Sequence, residues 1–326
     1  MDLVFEKNKK SVIKAQVCFV LPTFNEADNI RNIIEAIFDQ QVNVPDYQFK
    51  VLVVDDNSPD GTQQIVNQLI EKYDSLYLIT GEKNGLGNAY KKGFAYALET
   101  LNPDFIFQMD SDGQHDPQII PDFISQVNQG YSLVIGSRFI EGGATPEFSV
   151  RRKLISWLGN ILVRYIGGVR HIRDCTSGYR CISASYLKNC NFRFLSTQGY
   201  SFQSSLVCDL VAQGADCKEI PIVFSKRFFG NSKLSLKDQL EFIWNIPKLG
   251  FRTHKDFVKY SIVGFSGVLI NLGVYVFLTR YLGMMPEIAP ILSIEVSLLS
   301  NFMFNNFWTF KKRLIKSNFL SRLFQF

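Results

Sequence analysis

Five short apolar runs, Val17 to Leu21, Lys50 to Val54, Leu76 to Thr80, Phe105 to Met109 and Leu133 to Gly136, each give way at once to a polar or glycine-rich turn. Between them lie helical patterns at Asn29 to Phe38, Thr62 to Lys72, Asn88 to Leu98 and Gln118 to Val127. Strand and helix alternating in this way predict an α/β fold with a mainly parallel sheet and helices on both faces. Ligands of such sheets bind beyond the carboxyl ends of the strands. The chemically suggestive residues of this chain all sit there.

The fourth run ends in Asp110-Ser-Asp-Gly-Gln-His115. An Asp-x-Asp spacing lets alternate carboxylates, Asp110 and Asp112, converge on one hard cation, Mg2+ or Mn2+, which takes its remaining ligands from water and substrate phosphate. Gln114 adds a neutral oxygen. The second run ends in Asp55 and Asp56, either of which is placed to accept hydrogen bonds from a base or ribose. The following Ser58-Pro-Asp-Gly-Thr62 reads as a turn in which Asp60 or Thr62 caps the next helix. Gly85-Leu-Gly87, after the third run, is either a close backbone approach to phosphate or a turn before a helix.

Composition matters most at the C-terminal end. Of the 326 residues 46% are hydrophobic, and the surplus lies in Val258 to Leu282 and Ile288 to Phe310. The first stretch, helical at ~1.5 Å per residue, is about 37 Å long, enough to cross a bilayer. Residues 226–260, before and at its start, carry Lys226, Arg227, Lys233, Lys237, Lys248, Arg252, Lys255 and Lys259, and Lys311, Lys312, Arg313, Lys316 and Arg322 follow the second. By the positive-inside rule both flanks are cytoplasmic, which predicts a helical hairpin of two spans, about 258–282 and 288–310, in an integral membrane protein. Leu236 to Phe251 reads as an interfacial helix. The expected organisation is a cytoplasmic domain over 1–235, interfacial helices over 236–256 and a membrane module over 257–326.

No secretory signal is visible at the N-terminus. Six Cys residues at irregular spacing indicate reduced thiols and no structural zinc. The net charge of +5 owes much to the juxtamembrane clusters and points to anionic lipid, not nucleic acid.

Pro22-Thr-Phe-Asn-Glu26, Val54-Asp-Asp-Asn-Ser-Pro-Asp-Gly-Thr62, Gly85-Leu-Gly-Asn-Ala-Tyr90, Asp110-Ser-Asp-Gly-Gln-His115 and Gly136-Ser-Arg-Phe139 occur in that order. Together they resemble the inverting glycosyltransferases of the second family, and most of all its dolichyl- and polyprenyl-phosphate mannosyltransferase branch. The similarity continues through Asp174-Cys-Thr-Ser-Gly-Tyr-Arg180, Gly199-Tyr-Ser-Phe-Gln203 and Arg227-Phe-Phe-Gly-Asn-Ser-Lys-Leu234, and the last helices resemble a GtrA-like membrane module. The resemblance implies a Rossmann-like, GT-A type nucleotide-diphospho-sugar transferase domain. It implies that Pro22, Phe24, Glu26 and Asp56 hold the nucleoside, and that Asp110, Ser111, Asp112 and Gln114 hold metal and diphosphate. Arg138, Arg152 and Ser156 then meet the phosphates of acceptor and donor, while Arg227 and Lys233 clamp the donor diphosphate. Ser205 stands where the family's Gly-Tyr-x-Phe-Gln-x-Glu motif has its acid, and Phe24 replaces a commoner Tyr.

The implied reaction moves mannose from GDP-mannose to a dolichyl or undecaprenyl monophosphate, with a UDP-sugar as the alternative donor and a non-catalytic lipid-carrier component as the alternative class. A sugar nucleotide carries its own leaving group, whose developing charge calls for a cation and basic side chains. A lipid monophosphate is already anionic, so no general base is nominated, and His115, His171 and His254 read as surface or turn histidines. GtrA-like modules usually have four membrane helices, so the chain is expected to be either shortened or a two-helix form. Nothing in the residues indicates an oligomeric state.

Overall fold

The computed structural model of the chain describes residues 15–190, 192, 201–225, 236–253 and 255–310. Contacts divide it into two units, Met1–Leu249 and Gly250–Phe326.

The first unit is built on a seven-stranded sheet: β1 (Ala15–Thr23), β2 (Tyr47–Asp55), β3 (Leu76–Thr80), β4 (Phe105–Gln108), β5 (Leu133–Ser137), β6 (Arg180–Ser183) and β7 (Cys217–Pro221). The order is β3-β2-β1-β4-β6-β5-β7. β1, β2, β3 and β4 run parallel, as the alternation of runs and helices predicts, and β7 runs parallel to β5. β6 is antiparallel to both β4 and β5, which the sequence reading did not foresee. It returns from the carboxyl edge, so the segment Asp174 to Tyr179 just before it is delivered to the same edge as the Asp110 turn.

The helices of this unit are α1 (Ala27–Asp39), α2 (Thr62–Ile70), α3 (Leu86–Tyr96), α4 (Ile120–Asn128), α5 (Val150–Ile166), α6 (Ala184–Lys188), α7 (Ser201–Ala212) and α8 (Leu236–Thr253). Period-two alternation along the central strands divides the core. Val17, Phe19 and Leu21 of β1 face α1 and α4, whereas Cys18 and Val20 face α3 and α7. Phe19 stacks on Phe107 of the neighbouring strand with centroids 4.6 Å apart. A side chain at Gly93 of α3 would run into Val20 and Val54, so glycine there lets the helix lie directly on the sheet.

α8 was expected to start a separate interfacial segment at residue 236. Instead most of it packs with the first unit, and Leu249, 3% exposed, belongs to the sheet's core cluster. The boundary therefore falls at 249/250.

The second unit contains α9 (Lys255–Arg280) and α10 (Ala289–Phe304), the latter continuing as a π-helical turn, Asn305–Thr309. Among the described residues α9, through Asp256–Arg280, is the one helix long and apolar enough to cross a membrane. The expected second span appears as the shorter α10 plus its π turn. The pair is antiparallel: Ser297 Oγ donates to Gly267 O at 2.7 Å, and Lys259 Nζ donates to Trp308 O at 3.1 Å. Gly267 leaves room for Asn301, whose side chain would collide with any Cβ there.

Candidate active site

The loops after β1 and β2 are tied to each other before any ligand is considered. Asp55 is fully buried and accepts from the Thr23 hydroxyl (2.9 Å), the Ser58 amide and hydroxyl (2.9 and 2.6 Å) and the Gln63 amide nitrogen (2.7 Å). Four donors therefore converge on this carboxylate, which the sequence offers as a candidate for the nucleoside. Asp60 likewise accepts from Thr62 N and Oγ1 and from Ala27 N, tying the turn together; the N-cap of α2 is Gly61, with no side-chain cap, in place of the expected Asp60 or Thr62. The Asn25 amide donates to Ser58 Oγ, and Glu26, 7% exposed, accepts from Asn29.

Asp56 is the different one. It is buried, its Oδ1 has no hydrogen-bond partner among the described residues, and Lys92 Nζ stands 4.0 Å away. Burial, ahead of the opposing pull of Lys92, raises its carboxyl above the usual range. Lys83 Nζ sits 3.4 Å from the centroid of the Phe24 ring, so Phe24 offers a ring at the mouth of the same loops.

The Asp110 turn is held from several sides. Tyr90 OH donates to Asp110 Oδ1 at 2.7 Å, the Asp110 amide donates to His115 Nδ1 at 3.0 Å, and the Gln114 amide donates to Asp112 Oδ1 at 3.1 Å. Ser111 Oγ donates to Pro22 O at 2.6 Å, joining the first and fourth strand ends. Gln114 Nε2 donates to Ser225 O at 2.8 Å. His115 is 2% exposed, stacked on Tyr179 with centroids 4.9 Å apart, and burial pushes it down to about 4. It is a neutral acceptor inside the turn, not the surface histidine expected from sequence.

Arg138 donates from Nε and Nη2 to the two oxygens of Asp174, at 2.7 and 2.8 Å, and from Nη2 to Thr176 Oγ1 at 2.8 Å. Burial alone would raise the Asp174 carboxyl, but the guanidinium overrides it and holds the group below the usual range. Asp174, Thr176 and Tyr90 are not among the expected site residues; the available signals were the Asp174-Cys-Thr-Ser-Gly-Tyr-Arg180 and Gly85-Leu-Gly-Asn-Ala-Tyr90 strings. Arg152 lies with its guanidinium 3.8 Å from the Phe148 ring centroid, one turn before Ser156 on α5, and Ser149 Oγ caps that helix by accepting from the Arg152 amide.

Some of these groups line one cavity of about 410 Å3; Asp112 is not among its lining residues. Asp110, Gln114, Arg138, Arg152, Ser156 and Thr176 line its polar part, and Ile155, Leu158 and Leu162 of α5 face Phe242 and Ile243 of α8 along its apolar part. Arg227 and Lys233 lie outside the described residues. Pro22, Phe24, Glu26, Asp56 and Ser111 are on the neighbouring strand ends. The arrangement suits a ligand with an anionic head and an aliphatic body.

Residues 18–190 match the family described as glycosyl transferase family 2, and residues 259–326 match the GtrA/DPMS transmembrane domain. The chain is 33% identical, over 95% of its length and 85% of the relative's, to a dolichol-phosphate mannosyltransferase of Pyrococcus furiosus. It is 32% identical to a polyprenol monophosphomannose synthase of Mycolicibacterium smegmatis, over 73% of this chain and 88% of that one. With an undecaprenyl-phosphate mannosyltransferase of Micrococcus luteus the figures are 34%, 72% and 94%. Among solved structures, mannosyl-3-phosphoglycerate synthase from Rubrobacter xylanophilus superposes with a TM-score of 0.53 at 18% identity, covering 74% of each chain. Glucosyl-3-phosphoglycerate synthase from Mycobacterium tuberculosis, crystallised with Mn2+ and UDP-glucose, gives 0.52 at 17%, covering 74% of this chain and 79% of that one. These structural likenesses are of fold.

Proposed function

The chain belongs to glycosyl transferase family 2 and is a glycosyltransferase with a GtrA/DPMS transmembrane domain, and on that footing we propose that it transfers mannose from GDP-mannose to a polyprenyl monophosphate, dolichyl or undecaprenyl, with inversion at the anomeric carbon. The observation that carries this reading is the two-part cavity, where guanidinium and hydroxyl groups adjoin an aliphatic wall. A soluble phosphorylated acceptor has no use for that wall. The curated relatives named above, each described as acting on a polyprenyl-type phosphate, support the same assignment.

Asp56 accepts N–H groups of the base, beside the Phe24 ring: its Oδ1 is a buried strand-end acceptor with no hydrogen-bond partner among the described residues, with Lys92 Nζ 4.0 Å away. Pro22 and Glu26 complete the nucleoside side. Arg138, fixed by Asp174 in one orientation, presents its remaining guanidinium edge to phosphate, and Arg152 with Ser156 binds the acceptor phosphate. Holding that anion in line with the sugar supplies much of what a direct displacement needs.

Asp110 and Asp112, anchored by Tyr90 and by the Gln114 amide, fit a divalent cation: both are hard oxygen donors on one turn, with Gln114 beside them. Such an ion takes substrate phosphate and water as its other ligands. When bound, such an ion offsets charge developing on the diphosphate leaving group. The family's membrane domain places the protein at a membrane, and the juxtamembrane Lys and Arg residues support a cytoplasmic catalytic unit. Purified protein offered GDP-mannose, UDP-glucose and UDP-N-acetylglucosamine with polyprenyl phosphate tests the donor. Transfer from GDP-mannose is expected, and preferential transfer from a UDP-sugar refutes the donor assignment.

A further inference from the structure

α8 is apolar on two sides. Ile243 and Trp244 are 59% and 72% exposed, while Ile246 and Leu249 are 6% and 3% exposed. Apolar contact alone does not choose between these faces, since a rotated helix buries a similar area. A polar ladder makes the choice. Ser201 Oγ of α7 donates to Glu241 Oε1 at 3.0 Å, and Asn245 Nδ2 donates to Ser205 Oγ at 2.7 Å. The two rungs lie four residues apart on both helices, so each helix contributes one face and one direction. Asn245 and Ser205 are 6% and 3% exposed, and Ser205 also donates to Ser201 O at 3.0 Å, so the second rung is buried and satisfied.

Between the rungs sit Phe242 and Ile243, the α8 residues that line the cavity. Phe242 reaches α5 at Gly159, where an added Cβ would stand 3.3 Å from its ring. On the α7 side Gln203, also between the rungs, lines the same cavity and accepts a hydrogen bond from Gln108. Ser205 is the position where the family's motif has an acid. Here Ser205 pairs with Asn245, while Glu241 of α8 pairs with Ser201.

We infer that the Ser201–Glu241 and Ser205–Asn245 pairs are positioning residues that set the register of α8 on α7, and through it the apolar wall against which the aliphatic part of the acceptor packs. Buried polar pairs fix register at positions where apolar packing is degenerate. This rests on the acceptor reading above and names the residues that shape its aliphatic half. A disturbed register opens the wall without touching the nucleotide side, so acceptor and donor kinetics separate.

The test uses the full-length chain in lipid nanodiscs, with polyprenyl phosphate and nucleotide sugar varied separately. Asn245→Leu keeps side-chain size and removes the donor. It should raise the KM for polyprenyl phosphate about tenfold, the scale of one lost buried hydrogen bond, with the nucleotide-sugar KM and kcat within about twofold. Ser205→Asn combined with Asn245→Ser exchanges the partners and should return the acceptor KM toward the parental value. If Asn245→Leu does not fold, Ser205→Ala removes the same rung and should show the same selective change. Unchanged acceptor KM, or equal losses for both substrates, overturns the inference alone. A parent protein that does not glycosylate polyprenyl phosphate overturns the acceptor reading and this inference with it.

Discussion

Arg138 and Asp174 form a bidentate ion pair across the carboxyl edge of the sheet, with nitrogen–oxygen distances of 2.7 and 2.8 Å. Asp174 is itself fully buried and accepts the Arg138 amide as well, so the pair fixes both backbone and guanidinium. Removing one partner leaves a buried charge uncompensated, which costs on the order of 3–5 kcal/mol. Asp174→Asn should therefore lower the melting temperature and remove most activity together. The pair also carries a pH signature. A carboxyl held below its usual value stabilises the fold above about pH 4 and loses that contribution as pH falls through its lowered folded pKa. Wild-type protein should lose stability in that acid range, and Asp174→Asn should lack that component of the loss.

Asp112 sits on a turn rather than in the apolar core, and its replacement should separate chemistry from folding. Asp112→Asn still accepts the Gln114 amide through Oδ1, so it should keep its stability within about 1 kcal/mol of the parent and lose most transfer activity. Parental protein should be inactive in excess chelator and recover with Mg2+ or Mn2+. Full activity in chelator contradicts the role given to Asp110, Asp112 and Gln114.

Arg152 is held by the Phe148 ring and shares the cavity with Ser156. An ammonium reproduces neither the planar stacking nor the two-pronged hydrogen bonding. Arg152→Lys should cut kcat/KM for polyprenyl phosphate by about tenfold or more, corresponding to at least one charge-assisted bond, with the melting temperature unchanged. A parental rate in that variant removes Arg152 from the acceptor site.

His115 provides a second pH test with the opposite chemistry. Its imidazole is pushed from 6.5 down to about 4 by burial, ahead of the opposing influence of Asp112. Between those values the unfolded chain binds a proton that the folded chain does not, so stability falls as pH drops from about 6.5 to about 4, by up to roughly 3 kcal/mol. Denaturant midpoints measured across that range should decline in the parent and flatten in His115→Gln. A parental midpoint that stays level means that His115 is protonated in the fold.

That the Asp110 turn lies at the carboxyl end of a strand was legible, because the apolar run Phe105 to Met109 leads directly into it. Which of Asp55 and Asp56 faces a ligand was not legible. The answer depends on donors from Thr23, Ser58 and Gln63, two of them on other turns or helices, converging on Asp55. β6 escaped notice because four residues carry no usable periodicity, and with it went the antiparallel return that brings Asp174 to Arg138. His115 looked like a turn residue because burial beneath Tyr179 and Phe224 depends on segments far away in the chain. The inward face of α8 was hidden for a similar reason: its pattern is amphipathic, and only the partners on α7 show which face packs inward.

The central claim is that the acceptor is an amphiphile bearing a monophosphate. It is tested most directly by giving the purified full-length protein labelled GDP-mannose together with polyprenyl monophosphate, the corresponding polyprenol, or 3-phosphoglycerate, and following label into solvent-extractable and aqueous products. The account predicts an extractable, mild-acid-labile mannolipid formed with the monophosphate and not with the alcohol or the soluble phosphate. Label carried onto 3-phosphoglycerate, or equally onto polyprenol, would contradict it.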